Sequence, residues 1–249
     1  MEEKNLNNQR DKELFTVPDS QLSRRKFFNY AGVSAAAAMF AVSSCKKEYR
    51  GGISNSPYAQ NDPHNMPKNT VNLGSGDIGI LNYAYALEQL EAAFYIQVCS
   101  AFYTDITAKE MTYLEDIRDH EIIHREFFKN VLGKKAIGSL LVDFSTITFN
   151  SRASVLGTAK AFEDLGVSAY NGAGELLQSA DYLLIAGKIV SVEARHAATI
   201  RDLLSYGDFA GPDVVNAMGL DVYRTPPEVL AIADQYVITK IIANNLPTS

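Results

Sequence analysis

From Asp77 onward, apolar residues recur in alternating steps of three and four, the spacing of a helix that buries one stripe against its neighbours. Four such runs follow one another. The first, Asp77 to about Tyr103, carries Leu81, Ala84, Glu88, Glu91, Tyr95 and Val98 on its stripe. A second begins near Thr107, where Glu110 three residues on completes a capping-box pattern, and carries Leu114, Ile117, Glu121, His124, Phe128 and Val131. The third, about Ser154 to Tyr170, gives Leu156, Ala159, Glu163, Gly166 and Tyr170; the fourth, about Ser179 to Tyr206, gives Ala186, Ile189, Glu193, His196, Ile200 and Leu203. Asp77 has the chemistry of an N-cap for the first run. The pattern predicts an all-α bundle of four helices.

The stripes are not purely apolar. Each carries a glutamate flanked by apolar or small stripe residues, and two carry Glu-x-x-His: Glu121/His124 and Glu193/His196. A carboxylate and an imidazole at i and i+3 project from the same helix face. Arg118, Arg125 and Arg195 lie one step off the stripe, so inward lysine or arginine does not balance the inward carboxylates. Buried charges of one sign cost several kcal/mol each unless paired, and bound metal ions would neutralise them. One Glu from each of two helices, with Glu-x-x-His from each of the other two, is a bundle arrangement that holds two ions. Carboxylate and imidazole donors suit iron, manganese or, less selectively, zinc. His120 adjoins Glu121 but falls off the stripe, at a solvated position or one behind the ligands.

The longest interval between stripe glutamates runs from Glu121 to Glu163, and "GKKAIGSLLVDFSTITFN" within it offers one long crossover. Past the fourth run, residues 207–249 hold Pro212, Pro226 and Pro227 and a short helical run near Pro227 to Thr239, read as an extension packing on the bundle. With 249 residues, 47% of them hydrophobic, the chain can bury a single-domain core. A net charge of −6 without a basic run argues against a nucleic-acid partner. Two cysteines, Cys45 and Cys99, indicate no disulfide framework, and Cys99 reads as a buried structural thiol.

Residues 1–45 read as targeting signal. Ser23-Arg24-Arg25-Lys26-Phe27-Phe28 before an Ala-rich apolar run resembles a twin-arginine signal, and "VSSC", Val42 to Cys45, resembles a bacterial lipobox. That resemblance implies export, lipidation of Cys45, and a membrane-anchored lipoprotein facing the periplasm or cell surface. Residues 46–73, polar and rich in Gly, Pro and Asn, read as a flexible tether containing His64.

"ILNYAYALEQLEAAFY", "FEDLGVSAY" and "SVEARHA" resemble an exported bacterial ferritin-like domain family, similar to plant desiccation-related proteins, over about Gly74 to Tyr206 and more weakly through "TPPEVLAIADQYV". The resemblance implies a ferritin-like four-helix bundle. It makes Glu121, His124, Glu193 and His196 paired ligands, and Glu163 the single carboxylate of the third helix. On the first helix it favours Glu88, with Tyr95 seven residues later, and leaves Glu91 as an extra ligand or a residue behind the ligands. Two iron or manganese ions are the implied cofactors, with dioxygen or peroxide chemistry as the leading function. Metal binding without turnover and a stress-protective structural bundle are the alternatives. The motifs are specific for fold and metal site, and unspecific for reaction.

Overall fold

The computed structural model describes residues 70–248. The signal-like segment with Arg24, Arg25 and Cys45, and the tether up to residue 69 with His64, lie outside the described residues. Four long helices follow one another: α1 Gly76–Ser100, α2 Ala108–Leu132, α3 Arg152–Gly174 and α4 Ala180–Leu204, then a short α5 Pro226–Ala233. Among the described residues no helix is long and apolar enough to cross a membrane. α1 packs along α2 and α3 along α4, and the two pairs meet through α1 with α3 and α2 with α4.

Local chemistry sets the helix ends. Thr107 and Glu110 form the expected reciprocal capping box: Glu110 N–H donates to Thr107 Oγ1, and Thr107 N–H donates to Glu110 Oε2 at 2.9 Å. Ser151 and Ser179 cap α3 and α4, accepting from the N–H groups of Ser154 and Tyr182. α3 is therefore longer at both ends than its stripe predicts, while α4 stops at Leu204, short of Tyr206. Asp77 does not cap its own helix. Ser75 occupies that position, and the Asp77 carboxylate accepts instead from the N–H groups of Gln178 and Ser179, tying the start of α1 to the start of α4.

The α2–α3 connection runs the length of α1. The Asn82 side chain accepts from Ile137 N–H and donates to the carbonyls of Lys135 and Leu73. Further along, Gln89 accepts from Leu140 N–H, Phe144 and Phe149 pack on Phe94, and Thr104 N–H reaches Asn150 O. Connection and helix advance together, so α3 starts beside the end of α1 and runs parallel to α2. That is the one-crossover bundle the spacing predicts.

Two readings at the ends of the bundle need correction. Thr70–Asn72, assigned above to the tether, form a strand, β1, paired in parallel with β2 at Lys240–Ile242. Leu73 is fully buried, so the ordered fold begins before residue 74. The short C-terminal helix starts at Pro226 and ends at Ala233, because Thr225 and Glu228 build a capping box with Pro226 in the first turn. Val229 and Ala233 are buried in the core, and Tyr236 meets Phe162 edge-on at 4.8 Å. Cys99 is only partly buried; its Sγ lies 3.5 Å from Leu114 O, and burial pushes its thiol up to about 11.

Candidate metal centre

The stripes close on one another midway along the bundle. Glu88, Glu121, Glu163, Glu193 and His196 are all below 5% exposed, and His124 is 8% exposed. The two histidines stand in matching surroundings. His124 Nδ1 lies 2.7 Å from Glu193 Oε1, 3.6 Å from Glu88 Oε2 and 3.8 Å from Glu121 Oε2. His196 Nδ1 lies 2.9 Å from Glu121 Oε1, 3.2 Å from Glu193 Oε2 and 3.5 Å from Glu163 Oε2. Each imidazole thus faces its own motif's glutamate, the other motif's glutamate, and one single carboxylate.

Two sets of four donors follow, each with its atoms within 4.8 Å of one another. One is Glu88, Glu121, His124 and Glu193; the other is Glu121, Glu163, Glu193 and His196. Glu121 and Glu193 belong to both, with one oxygen turned towards each histidine. The fold makes both motif glutamates common to the two sets, with Glu88 and Glu163 at the outer ends.

Two tyrosines hold those outer carboxylates. Tyr95 Oη donates to Glu163 Oε1 at 2.5 Å, and Tyr170 Oη donates to Glu88 Oε1. Burial, and then the facing carboxylate's charge, pushes both phenols well above their ordinary range, so they stay protonated and act as donors. One oxygen of each outer carboxylate is thereby fixed, and Glu88 Oε2 and Glu163 Oε2 are left without a hydrogen-bond partner.

Glu91 is buried but belongs to neither set. Its carboxylate lies against α3 at Gly166, where an added Cβ would come within 2.9 Å of Oε1. The stripe glycine is what makes room for it. Burial and the charges of Glu121, Glu88, Glu193 and Glu163 push Glu91 well above the carboxylate range.

The same forces act on its neighbours. Burial, then the charge of Glu193, pushes Glu121 well up and Glu88 up, and burial raises Glu163. Glu193 alone is held low: burial would raise it, but His124 and His196 together override that. Burial would depress both imidazoles, yet the surrounding carboxylates push each up to about 12. Charging both histidines offsets only two of five carboxylates (Glu88, Glu91, Glu121, Glu163 and Glu193), and 5 − 2 leaves three negative charges if all ionise.

A conventional buried ion pair in the same molecule shows the contrast. Arg201, 1% exposed, meets Asp164 through two hydrogen bonds of 2.8 Å and Asp213 through two, of 2.6 and 3.2 Å. Donors and acceptors there point at each other. In the cluster only some are paired: the two tyrosines hold the outer carboxylates, and His196 Nδ1 meets Glu193 Oε2 at 3.2 Å. Both Glu121 oxygens, Glu193 Oε1 and His124 Nδ1 are buried without a hydrogen-bond partner, although His124 Nδ1 and Glu193 Oε1 are only 2.7 Å apart. Orphaned buried acceptors are rare and costly. Carboxylate oxygens and imidazole nitrogens gathered within 4.8 Å of one another, several of them without partners, are compatible with a divalent cation that takes oxygen and nitrogen ligands.

His120 completes the site from outside. The residue is exposed, yet its Nδ1 lies 2.9 Å from His196 Nε2, with ring planes only 10° apart. Partial burial, and then the facing charges of His196 and His124, push His120 down, favouring a neutral ring. Of the two positions left open for it by the sequence, it takes the one behind the ligands, reaching sideways between α2 and α4.

Residues 76–206 match the model of a family described as the ferritin-like domain. None of the curated proteins compared with the chain matches it.

Proposed function

The chain belongs to the ferritin-like domain family, whose model spans more than half of it, and on that premise we propose a metal-dependent redox protein holding two iron or manganese ions between α1, α2, α3 and α4. One observation carries the reading: two overlapping donor sets share Glu121 and Glu193 and end in Glu88 and Glu163. Glu88, Glu121, His124 and Glu193 would hold one ion, and Glu121, Glu163, Glu193 and His196 the other. Iron or manganese held by these residues would supply redox chemistry with dioxygen or peroxide.

The chain's own residues do the rest. Tyr95 and Tyr170 orient the outer carboxylates through their hydroxyls. Near-complete burial of the six donor residues restricts access to small reactants and keeps bulk water out. Glu91, whose ionisation burial and the neighbouring carboxylates disfavour, lies beside the site against Gly166. The signal-like pattern at Ser23–Phe28 and the lipobox-like "VSSC" ending at Cys45 support export and a lipid anchor at the membrane surface.

The test is metal analysis of the purified protein, followed by peroxide and dioxygen consumption with the metal-loaded form. Two ions per chain and turnover above that of the free metal support the reading. Bound metal without turnover assigns the site to sequestration instead, and absence of bound metal leaves a structural bundle.

A further inference from the structure

The two histidines of the site are not equivalent, and the difference lies outside the donor sets. His196 presents Nδ1 to the carboxylates and Nε2 to His120 at 2.9 Å. The contacts found for His124 among the described residues to the surrounding glutamates are all made through Nδ1. An imidazole that binds an ion through Nδ1 keeps its hydrogen on Nε2, and a partner accepting that hydrogen fixes both the ring's tautomer and its rotation about χ2. Such partners are usually carboxylates or backbone carbonyls. Here the acceptor is a second imidazole, and His120 must then carry its own hydrogen on Nε2, towards solvent. The near-parallel rings let Nε2–H of His196 point along the in-plane lone pair of His120 Nδ1.

Resting on the two-ion reading above, we propose that His120 is a positioning residue that pre-sets His196, so that the Glu121–Glu163–Glu193–His196 position fills first and more tightly. The outer carboxylate of that position is also pre-set, because Tyr95 fixes Glu163. The other position has its carboxylate fixed by Tyr170, but among the described residues no hydrogen-bond partner is found behind its imidazole. Preorganisation on one side only separates two otherwise similar donor sets.

Calorimetric titration of the metal-free full chain with Mn(II) reads this directly. The wild type should bind in two resolved steps. His120→Ala, at an exposed position where truncation spares the core, should weaken the tighter step about 10–100-fold and leave the weaker step in place. His120→Asn, whose Oδ1 can take the place of Nδ1 as acceptor, should recover most of the loss. Wild-type binding in two steps that His120→Ala leaves unchanged, or loss that Asn fails to recover, overturns the role of His120. Two ions binding to the wild type with indistinguishable affinity overturns the unequal filling while the two-ion reading stands. No Mn(II) binding by the wild type takes down both readings together.

Discussion

Neutralising one shared carboxylate should make the metal-free protein more stable and deprive it of its response to metal. Glu121 is fully buried, both of its oxygens lack a hydrogen-bond partner, and burial and Glu193 push it well above the ordinary carboxylate range. Its folded pKa exceeds its unfolded value, so the folded state binds the proton more tightly. Stability from this group is therefore greatest at low pH and falls as pH rises from the unfolded value of about 4.3 through the folded one. Glu121→Gln keeps the shape and removes the ionisation. Relief of one unsatisfied buried group is worth about 1–3 kcal/mol, with the larger gain at pH 8 and the smaller at pH 5. In a chain of this size each kcal/mol moves Tm by about 2–4 °C. Metal acts in the opposite sense. An ion bound only by the folded state adds about 2.7 kcal/mol at a hundredfold excess over Kd, or about 5–11 °C in the wild type. Glu121 serves both positions, so Glu121→Gln should lose most of that rise. Melting curves with and without Mn(II), at both pH values and for both proteins, measure all four quantities. An equal metal-induced rise in the two proteins, or a less stable metal-free variant, would refute the reasoning.

Other perturbations test the scaffold and the export reading. An added Cβ at Gly172 would sit 1.9 Å from Arg224 O, on backbone that is itself bonded to Ser168 O. Gly172→Ala should therefore lower stability by about 1–3 kcal/mol despite the better helix propensity of alanine; it should also speed proteolysis within residues 207–224, and unchanged melting would contradict the contact. Hydrogen bonds from Thr107 and Arg152 outweigh burial and hold Glu110 below the carboxylate range, so its contribution is present above about pH 4.3 and lost as pH falls through its folded pKa. Glu110→Gln should cost about 1–2 kcal/mol at pH 7 and progressively less below pH 4, as read by denaturant melts across pH; a cost that does not vary with pH would contradict the ionic role. Arg24→Lys with Arg25→Lys should retain the protein inside the cell, and Cys45→Ala should abolish labelling by radioactive fatty acid, as cell fractionation and labelling would show.

Much of the fold was legible because one period governs it. All six predicted stripe residues of α1 are buried, and the stripe glutamates of all four long helices turn inward. The period carries a face but not a depth. It brought Glu88 and Glu91 inward alike, and only the cross-bundle distances separate a donor from a residue lodged against Gly166. The seven-residue repeat also drifts by about 20° per heptad against a straight helix. By the end of α2 the inward direction falls between neighbouring residues, and Leu132 is buried where Val131 was expected, with Val131 39% exposed. What escaped the sequence was long-range: Asp77 tying the start of α1 to the start of α4, β1 pairing with β2, and His196 as the partner of His120. Each depends on two segments meeting far apart in the chain, and neither segment alone carries a periodic or spacing signal.

The central claim is that Glu121 and Glu193 are shared between two ions. Anomalous diffraction from crystals of the Mn(II)-loaded protein, recorded at the manganese edge, tests it most directly. The account predicts two peaks inside the bundle, one bounded by Glu88, Glu121, His124 and Glu193 and the other by Glu121, Glu163, Glu193 and His196. A single peak, or manganese only at surface carboxylates, would contradict it.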